Sequence, residues 1–365
     1  MYLKSQVFAR YLADPETTSL FSDDMLIAKL LLFEITLADV QSTLDIIPAD
    51  ASAEIKKVLS SIKIDPADIA EGTLQNGVPV ISILQQLKSR MSPYGAKYLH
   101  FGATSQDAMD TALVLILKDA TKLIRGKLER LIPNLQQLSE KYGNTPCMAR
   151  TRGQLAAPTI FKHKVRSWLD PLERQAQRFQ DITSGVLKIQ LGGAVGDLEF
   201  YKGKGPDLQN SLAAALNLAT AKSWHTQRDN LCTLTNWMAI TSGLLGKMAF
   251  DILVMAQPEI DEVLENREGG GTSSVMPHKR NPVLSEALVA LGKLNAGLQA
   301  IQLNSLIHAN ERDATAWILE WQCIPHMIIN TATGLNHAIT ISEKIQVNTD
   351  TMKENVDLFN MKNTK

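Results

Sequence analysis

The sequence predicts an all-α fold built around long helices. Apolar residues recur every three or four positions over long stretches, which is the period of an amphipathic helix. Alternating patterns typical of strands are scarce. Only 5% of the residues are aromatic, which suits close packing between helices rich in Leu and Ala. Long helices with short links indicate a bundle of nearly parallel helices.

The N-terminal part of the chain predicts shorter helices than the rest. Pro48, Pro66, Pro79 and Pro93 interrupt it at regular intervals, and proline rarely continues a helix interior. We therefore predict that residues 1–107 form a separate small helical domain.

Four long helices are predicted in the remainder. They run from Asp110, with an apolar stripe from Leu113 to Leu138, from Asp229 to Gln257 before Pro258, from Pro282 towards His308, and from Ala314 to Ile341. The second would be about 43 Å long at 1.5 Å per residue. We assign residues 108–350 to this central bundle and residues 351–365 to a short C-terminal stub. Helices this long cannot bury all their apolar surface in one chain, so some faces should pack against other subunits.

Composition excludes several classes of protein. The chain has 365 residues and a net charge of -1, which indicates more than one domain and gives no sign of a nucleic-acid or membrane-surface partner. No uncharged apolar run has the length of a membrane span or a signal peptide. Cys147, Cys232 and Cys323 are far apart and form no CxxC pair. We therefore expect neither a disulfide framework nor a zinc site, and a cytoplasmic location.

A glycine-rich segment carries the densest set of polar groups. Gly269, Gly270 and Gly271 precede the sequence Ser-Ser-Val-Met-Pro-His-Lys-Arg-Asn-Pro, which occupies residues 273–282. A flexible loop that supplies hydroxyls, a cation and an amide before a helix start is typical of an active-site lid. Asn281 and Pro282 also predict an N-cap and a first-turn proline.

Three other segments carry candidate polar groups, and each has a structural alternative. Thr104, Ser105 and Gln106 precede the first long helix, whose N-terminus favours anions, or they belong with Asp107 to its cap. Arg152, near Gln154, can clamp a carboxylate with two hydrogen bonds, or lie on the surface.

The third segment, with His225, Gln227 and Arg228, precedes the helix at residue 229 and could bind another carboxylate, although a histidine in a turn is often structural. Arg312 either reaches the site or forms an ion pair on a helix face. Gly192–Gly196 is not predicted to bind a nucleotide, because no strand precedes it and no Gly-Lys-Ser/Thr follows.

Three of these segments resemble, in the same order, the signatures of the fumarase/aspartase superfamily: the one with Thr104, the one with Arg152, and residues 273–282. By that resemblance Ser273 exchanges a proton at the carbon next to a carboxylate. Lys279 and Asn281 stabilise the resulting enediolate, and Ser274 and Met276 belong to the substrate-binding set. Most lyases of the family have a histidine where this chain has Arg152. Arginine cannot act as a general acid near neutrality.

The resemblance also implies properties of the whole enzyme. It implies a small polycarboxylate substrate, no metal or organic cofactor, and a homotetramer in which each active site draws its three segments from three chains. Many relatives continue into a further small helical domain, and we expect this chain to lack it.

Within the superfamily, the runs Phe8–Pro15 and Asn76–Val80 look like those of 3-carboxy-cis,cis-muconate cycloisomerases, and Arg152 suits a substrate with three carboxylates. The alternatives are a lyase that releases fumarate, of the adenylosuccinate lyase type, and a helical scaffold without activity.

Overall fold

The computed structural model describes residues 5–265, 270–276 and 279–363. Its described part is mostly helical with little sheet, which confirms the all-α prediction. The helices are α1 (Pro15–Ser19), α2 (Asp23–Thr43), α3 (Ala49–Ser61), α4 (Pro66–Asn76), α5 (Val80–Lys88), α6 (Pro93–Tyr98), α7 (Ser105–Tyr142), α8 (Phe161–Val186), α9 (Gly205–Leu216), α10 (Asp229–Met255), α11 (Val283–Gln302), α12 (Ala314–Lys344) and α13 (Thr349–Asn363). The strands are β1 (Pro146–Thr151), β2 (Gln154–Ile160), β3 (Val263–Leu264) and β4 (Gln346–Val347).

Five long helices, α7, α8, α10, α11 and α12, form the central bundle. α7 and α12 run in the same direction, because Lys127 Nζ donates to Asn336 Oδ1 at 2.9 Å and Asn134 Nδ2 donates to Ser342 Oγ at 3.1 Å. α10 is parallel to both, whereas α8 and α11 run the opposite way. The antiparallel pairing of α10 and α11 brings Gly292 against the backbone of Ser242.

The bundle core follows directly from the helical stripes. Residues of the predicted stripe on α7 are buried from Leu117 to Leu138. Trp237 on α10 stacks on Phe179 of α8 with ring centroids 4.2 Å apart, and its indole N–H donates to Gln175 O. A buried aromatic pair of this kind contributes about 1 kcal/mol beyond its apolar area.

A second hydrophobic cluster lies between the N-terminal helices and the start of α7. Phe33, Leu37, Ile55 and Leu87 are almost completely buried there, and Leu208 of α9 joins them. This packing fixes the entry of the chain into the bundle. The domain division at residues 107 and 350 stays a prediction.

An antiparallel hairpin of β1 and β2 is an element that the sequence analysis did not predict. Arg152 and Gly153 form its two-residue turn, with φ of 52° and 80°. Two successive positive φ values are typical of the tight turns that match strand twist. The hairpin lies between the end of α7 and the start of α8, and β1 packs against α13.

Apolar side chains remain exposed on one side of the bundle. Ile240 and Phe250 on α10 and Leu294 and Ile301 on α11 are each at least 41% exposed. By length and composition alone, α10 is long and apolar enough to cross a membrane, with a mean hydropathy of 1.5 over 18 residues. Its other face packs against α8, α11 and α12 inside the bundle.

Candidate active site

The first candidate segment forms the N-terminal turn of α7. Thr104 N donates to Asp107 Oδ2 at 3.0 Å, so Asp107, the third residue of α7, caps the N-terminus of this helix. The same buried carboxylate accepts hydrogen bonds from Gly192 N at 2.8 Å and Gly193 N at 2.9 Å. Ser105, the first residue of α7, is half-buried. The capping alternative therefore holds for Asp107, while Thr104 and Ser105 stay candidates for binding a carboxylate.

A glycine loop, residues 192–196, lies on this turn. Gly193 has φ of 69°, and a Cβ at this position would lie 3.1 Å from Gly102 O, so only glycine fits without strain. Arg312 reaches the loop from the segment before α12, and its guanidinium donates to Ala194 O at 2.9 Å. Arg312 is thus brought to the same end of the bundle as Ser105, with an exposed side chain.

His225 is also at this end, but its ring is engaged. Its Nε2 lies 2.8 Å from Asp107 Oδ1, and the side chain is 4% exposed. Because Asp107 occupies Nε2, the geometry favours the structural alternative for His225. Its role as a contact for substrate stays a prediction.

Two predicted substrate ligands are buried in contacts of their own. Arg228 is completely buried; it donates to both oxygens of Asp110 at 2.7 and 3.0 Å and to both oxygens of Glu320. Gln106 is buried beside it and donates to Asp110 Oδ2 at 3.1 Å and to His225 O at 2.9 Å. The structure thus corrects our assignment of these two side chains, because neither is presented to a ligand.

Gln227, in contrast, is exposed. It lines a small cavity of about 230 Å³ together with Lys188, Lys222 and Asn230. The cavity lies beside the start of α10. Gln227 therefore keeps a position from which its amide can reach a ligand at this end of the bundle.

We call the glycine-rich candidate segment the serine loop. It comprises the described residues 270–276 and 279–282. Asn281 N donates to Gly271 O at 2.8 Å, and Thr272 and Arg280 form an antiparallel bridge, so the loop is closed at its base. A Cβ on Gly271 would lie 2.0 Å from Asn281 O, which explains the glycine. Gly269 and Pro277 of the predicted signature lie outside the described residues.

Ser273 sits in a turn that surrounds its oxygen with donors. Ser273 Oγ accepts hydrogen bonds from Met276 N at 3.1 Å and Val275 N at 3.3 Å. Two N–H donors aimed at one oxygen stabilise negative charge on it. Lys279 is exposed nearby in the loop and has no ion-pair partner among the described residues. Ser274 and Met276 are exposed as well.

The start of α11 is capped by a residue that the sequence analysis missed. α11 begins at Val283, and Glu265 accepts from Leu284 N at 3.0 Å, Ser285 N at 2.7 Å and Ser285 Oγ at 2.7 Å. The predicted N-cap role of Asn281 is therefore wrong. A carboxylate at a helix N-terminus is favourable, and here it leaves the Asn281 side chain available.

The second candidate segment is the hairpin turn. Arg152 at the tip and Gln154 at the start of β2 are both exposed. Arg150 lies in β1, two residues before Arg152, and its guanidinium instead donates to Glu262 at 3.2 and 3.3 Å. No local pattern indicated this pairing, because the two residues are 112 positions apart. The Arg152 side chain is thus exposed at the tip of a hairpin that the Arg150–Glu262 ion pair holds in place.

The three segments do not meet within one chain. Ser105, Gln227 and Arg312 lie where α7, α10 and α12 begin, whereas the serine loop lies where these helices end and α11 starts. α10 alone has 27 residues, which is about 40 Å. The hairpin is rooted at the same end as the serine loop, but no contact joins Arg152 to Ser273 in the described part of the chain.

A further cavity does not coincide with any of these segments. It has a volume of about 750 Å³ and lies between the N-terminal helices and α12, with mostly apolar walls and Asp23, Asp110 and Glu320 among its acidic groups. Such a lining does not suit a polycarboxylate. Within residues 5–265, 270–276 and 279–363, no three His, Cys, Asp or Glu residues are grouped to hold a metal ion.

Comparison with known proteins identifies the family of this chain. A family model described as Lyase matches residues 32–294. The 3-carboxy-cis,cis-muconate cycloisomerase of Acinetobacter baylyi is 32% identical over 360 residues, which cover 97% of this chain and 80% of that relative. The N-acetyl-S-(2-succino)cysteine lyase of Dickeya dadantii is 30% identical over 351 residues, covering 95% of this chain and 76% of that relative.

Among solved structures, the 3-carboxy-cis,cis-muconate lactonizing enzyme from Pseudomonas putida superposes with a TM-score of 0.91 at 33% identity, over 97% of this chain and 80% of that one. An enzyme is therefore favoured over an inactive scaffold. The family match, the matching fold and the signature residues show that this chain belongs to the fumarase/aspartase superfamily of lyases.

Proposed function

We propose that this enzyme is a cycloisomerase that converts 3-carboxy-cis,cis-muconate to a carboxylated muconolactone in the catabolism of aromatic acids such as protocatechuate. The observation that carries the proposal is the environment of Ser273, whose oxygen accepts two backbone N–H bonds beside the exposed Lys279. The cycloisomerase named among the relatives supports the choice of substrate.

The proposed reaction is an intramolecular addition. One substrate carboxylate oxygen forms a C–O bond to a carbon of the double bond, and the π electrons move to the carbon next to another carboxylate. The Ser273 hydroxyl gives its proton to that carbon, and the two amides that donate to Ser273 Oγ stabilise the oxygen that remains. The charge of Lys279 and the amide N–H donors of Asn281 stabilise the enediolate that precedes protonation.

Cations and neutral donors would bind the carboxylates of the substrate. Arg152 is exposed on its hairpin turn and can hold a carboxylate with two hydrogen bonds, with Gln154 next to it. Thr104 and Ser105 supply hydroxyls at the start of α7, and Arg312 and Gln227 lie at the same end. Because the serine loop is at the other end of the bundle, a complete site needs segments from more than one chain.

We infer from that requirement that several copies of the chain assemble, and the resemblance to the superfamily implies a homotetramer. The apolar side chains exposed on α10 and α11, such as Phe250 and Leu294, give copies of the chain a surface on which to associate. The proposal needs no metal or organic cofactor, and we place the enzyme in the cytoplasm.

Absorbance of the conjugated diene tests the proposal. Mixing the enzyme with 3-carboxy-cis,cis-muconate should remove the diene absorbance, because the addition consumes one of the two double bonds. Fumarate, measured in the same samples, should not appear. An unchanged spectrum at micromolar enzyme would refute the cycloisomerase.

A lyase that releases fumarate is the second candidate, and the Dickeya dadantii relative favours it. Here Ser273 would remove a proton from a succinyl adduct instead of supplying one. Adenylosuccinate and an S-succinylated cysteine are the substrates to test. Fumarate release from either, without loss of the diene, would replace the first proposal by this one.

A further inference from the structure

The N-terminal segment is fastened to α12 near the serine loop. Asp14 N donates to Thr333 Oγ1 at 2.7 Å, and Asn336 Nδ2 donates to Asp14 Oδ1 at 2.8 Å. His337 Nε2 lies 2.7 Å from Tyr11 O. Burial lowers the pKa of His337, which keeps the ring neutral and suits donation of its single N–H to this carbonyl. The backbone around Tyr11 is therefore held against a long, rigid helix.

Tyr11 extends from this segment to the point where the serine loop becomes α11. Its hydroxyl donates to Val283 O at 3.2 Å, two residues after Asn281, across a separation of 272 positions in the sequence. Burial and the charges of Glu286 and Glu265 raise the pKa of the phenol, so the hydroxyl stays protonated and remains a donor. The ring packs near His337, with centroids 6.1 Å apart.

The junction of loop and helix is thus held from two directions. Glu265 accepts from the amides of Leu284 and Ser285, while Tyr11 donates to the carbonyl of Val283. Glu265 belongs to the same connection as the loop, so it can move together with it. Tyr11 belongs to a segment fixed on α12, so its hydrogen bond sets the position of the junction relative to the bundle.

We propose that Tyr11 is a positioning residue that fixes the C-terminal base of the serine loop and thereby the places of Lys279 and Asn281. It contacts no reacting atom and acts through the Val283 carbonyl. The expected effect of Tyr11 on turnover rests on the proposed function. Its effect on the position of the serine loop does not, because that position can be measured without substrate.

Limited trypsin digestion measures the loop directly. Lys279 and Arg280 are exposed cleavage positions inside it. Tyr11→Phe removes only the hydroxyl, and the loss of one hydrogen bond should raise the cleavage rate at these two bonds about fivefold. Tyr94→Phe is the matched control, because that exposed hydroxyl bonds Asp50 in the N-terminal helices. Equal cleavage rates in Tyr11→Phe and the wild type would overturn the proposal.

Steady-state kinetics show whether Tyr11 positions the catalytic groups or only holds the serine loop in place. On the substrate that the wild type turns over, Tyr11→Phe should lower kcat about fivefold while KM changes less than about twofold, because carboxylate-binding groups elsewhere are untouched. Tyr94→Phe should leave both constants unchanged. Faster loop cleavage with an unchanged kcat would show that Tyr11 holds the loop without positioning catalytic groups, and would refute this part. If no substrate is turned over, the digestion result still decides whether Tyr11 fixes the loop.

Discussion

Ser273 illustrates how a weak acid can take part in proton transfer. A serine hydroxyl in water rarely exchanges a proton with carbon, because its anion is too unstable. Here two amides of the same turn already point at its oxygen, and no rearrangement is needed when charge develops. Ser274, the next residue, is exposed.

We therefore expect Ser273→Ala to lower kcat by at least about 100-fold, the scale of a lost proton-transfer group. Ser61→Ala, an exposed serine at the end of α3, is the control and should have wild-type kinetics. The measurement is the initial rate on the substrate that the wild type accepts. A Ser273→Ala rate within a few-fold of the wild type would remove this residue from the mechanism.

His100 predicts a dependence of stability on pH. It precedes the α7 turn with φ of 59°, and its Nδ1 lies 2.5 Å from Glu34 Oε1. Burial lowers the pKa of His100, but the charge and hydrogen bond of Glu34 more than offset it, so the pKa is raised. A raised pKa means that the folded state binds the proton more tightly than the unfolded state. The stabilisation is then complete below about pH 6.5, the unfolded value, and is lost as pH rises through the folded value.

Unfolding by urea at several pH values checks this expectation. The difference in unfolding free energy between the wild type and His100→Gln should be largest below about pH 6.5 and decrease at higher pH. In a Glu34→Gln background the same substitution should lose most of its pH dependence. A constant difference across this range would contradict the ion pair.

At the scale of elements, Arg228 joins three helices of the bundle. It immediately precedes α10, its partner Asp110 is on α7 and its partner Glu320 is on α12, and all three side chains are buried. Trp317 Nε1 adds a bond of 3.1 Å to Asp110. This network lies directly beneath the turn of Thr104 and Ser105, so it holds that turn in place.

Arg228→Met should lower the unfolding free energy by about 3–5 kcal/mol, because two buried carboxylates lose their cation. Arg130→Met, which breaks an exposed pair with Glu343, should cost less than about 1 kcal/mol. Urea midpoints at one fixed protein concentration provide the comparison. A combined Arg228→Met, Asp110→Asn and Glu320→Gln variant should recover part of the loss. Equal midpoints for Arg228→Met and Arg130→Met would contradict the network.

The elements also show which features the sequence could predict. The long helices were predictable because one period of apolar residues continues through α7, α10 and α12, and each is buried by neighbours along its length. The β1–β2 hairpin was not, because its outer positions are exposed without alternation and Arg-Gly is a weak turn signal. Glu265 and Glu320 could not be linked to their partners, since both contacts depend on packing between distant segments.

At the scale of the whole molecule, the distance between the ends of the bundle decides how a site can be assembled. Ser105 and Ser273 belong to opposite ends, about 40 Å apart along α10. If both serve one reaction, they must come from different copies of the chain. This is a stronger requirement than oligomerisation, because the contact between copies must complete the chemistry.

Mixing two inactive variants tests whether Ser105 and Ser273 of one site come from different chains. Ser105→Asp should be inactive because its charge repels a carboxylate, and Ser273→Ala because it lacks the hydroxyl. After the two are unfolded and refolded together, about a quarter of the sites should combine intact segments if these come from different chains at random. The variants refolded separately are the controls. No recovered activity in the mixture would show that one chain supplies both residues.

The separation of the serine loop from the turn of Thr104 and Ser105 has a consequence for mixtures of altered and normal chains. If the sites are shared between copies, a chain altered at its serine loop spoils one site whose turn of Thr104 and Ser105 belongs to a normal neighbour, and it still supplies its own intact turn to another site. In a mixture of altered and normal chains, the fraction of sites lost would then equal the fraction of altered chains, because each chain supplies one serine loop.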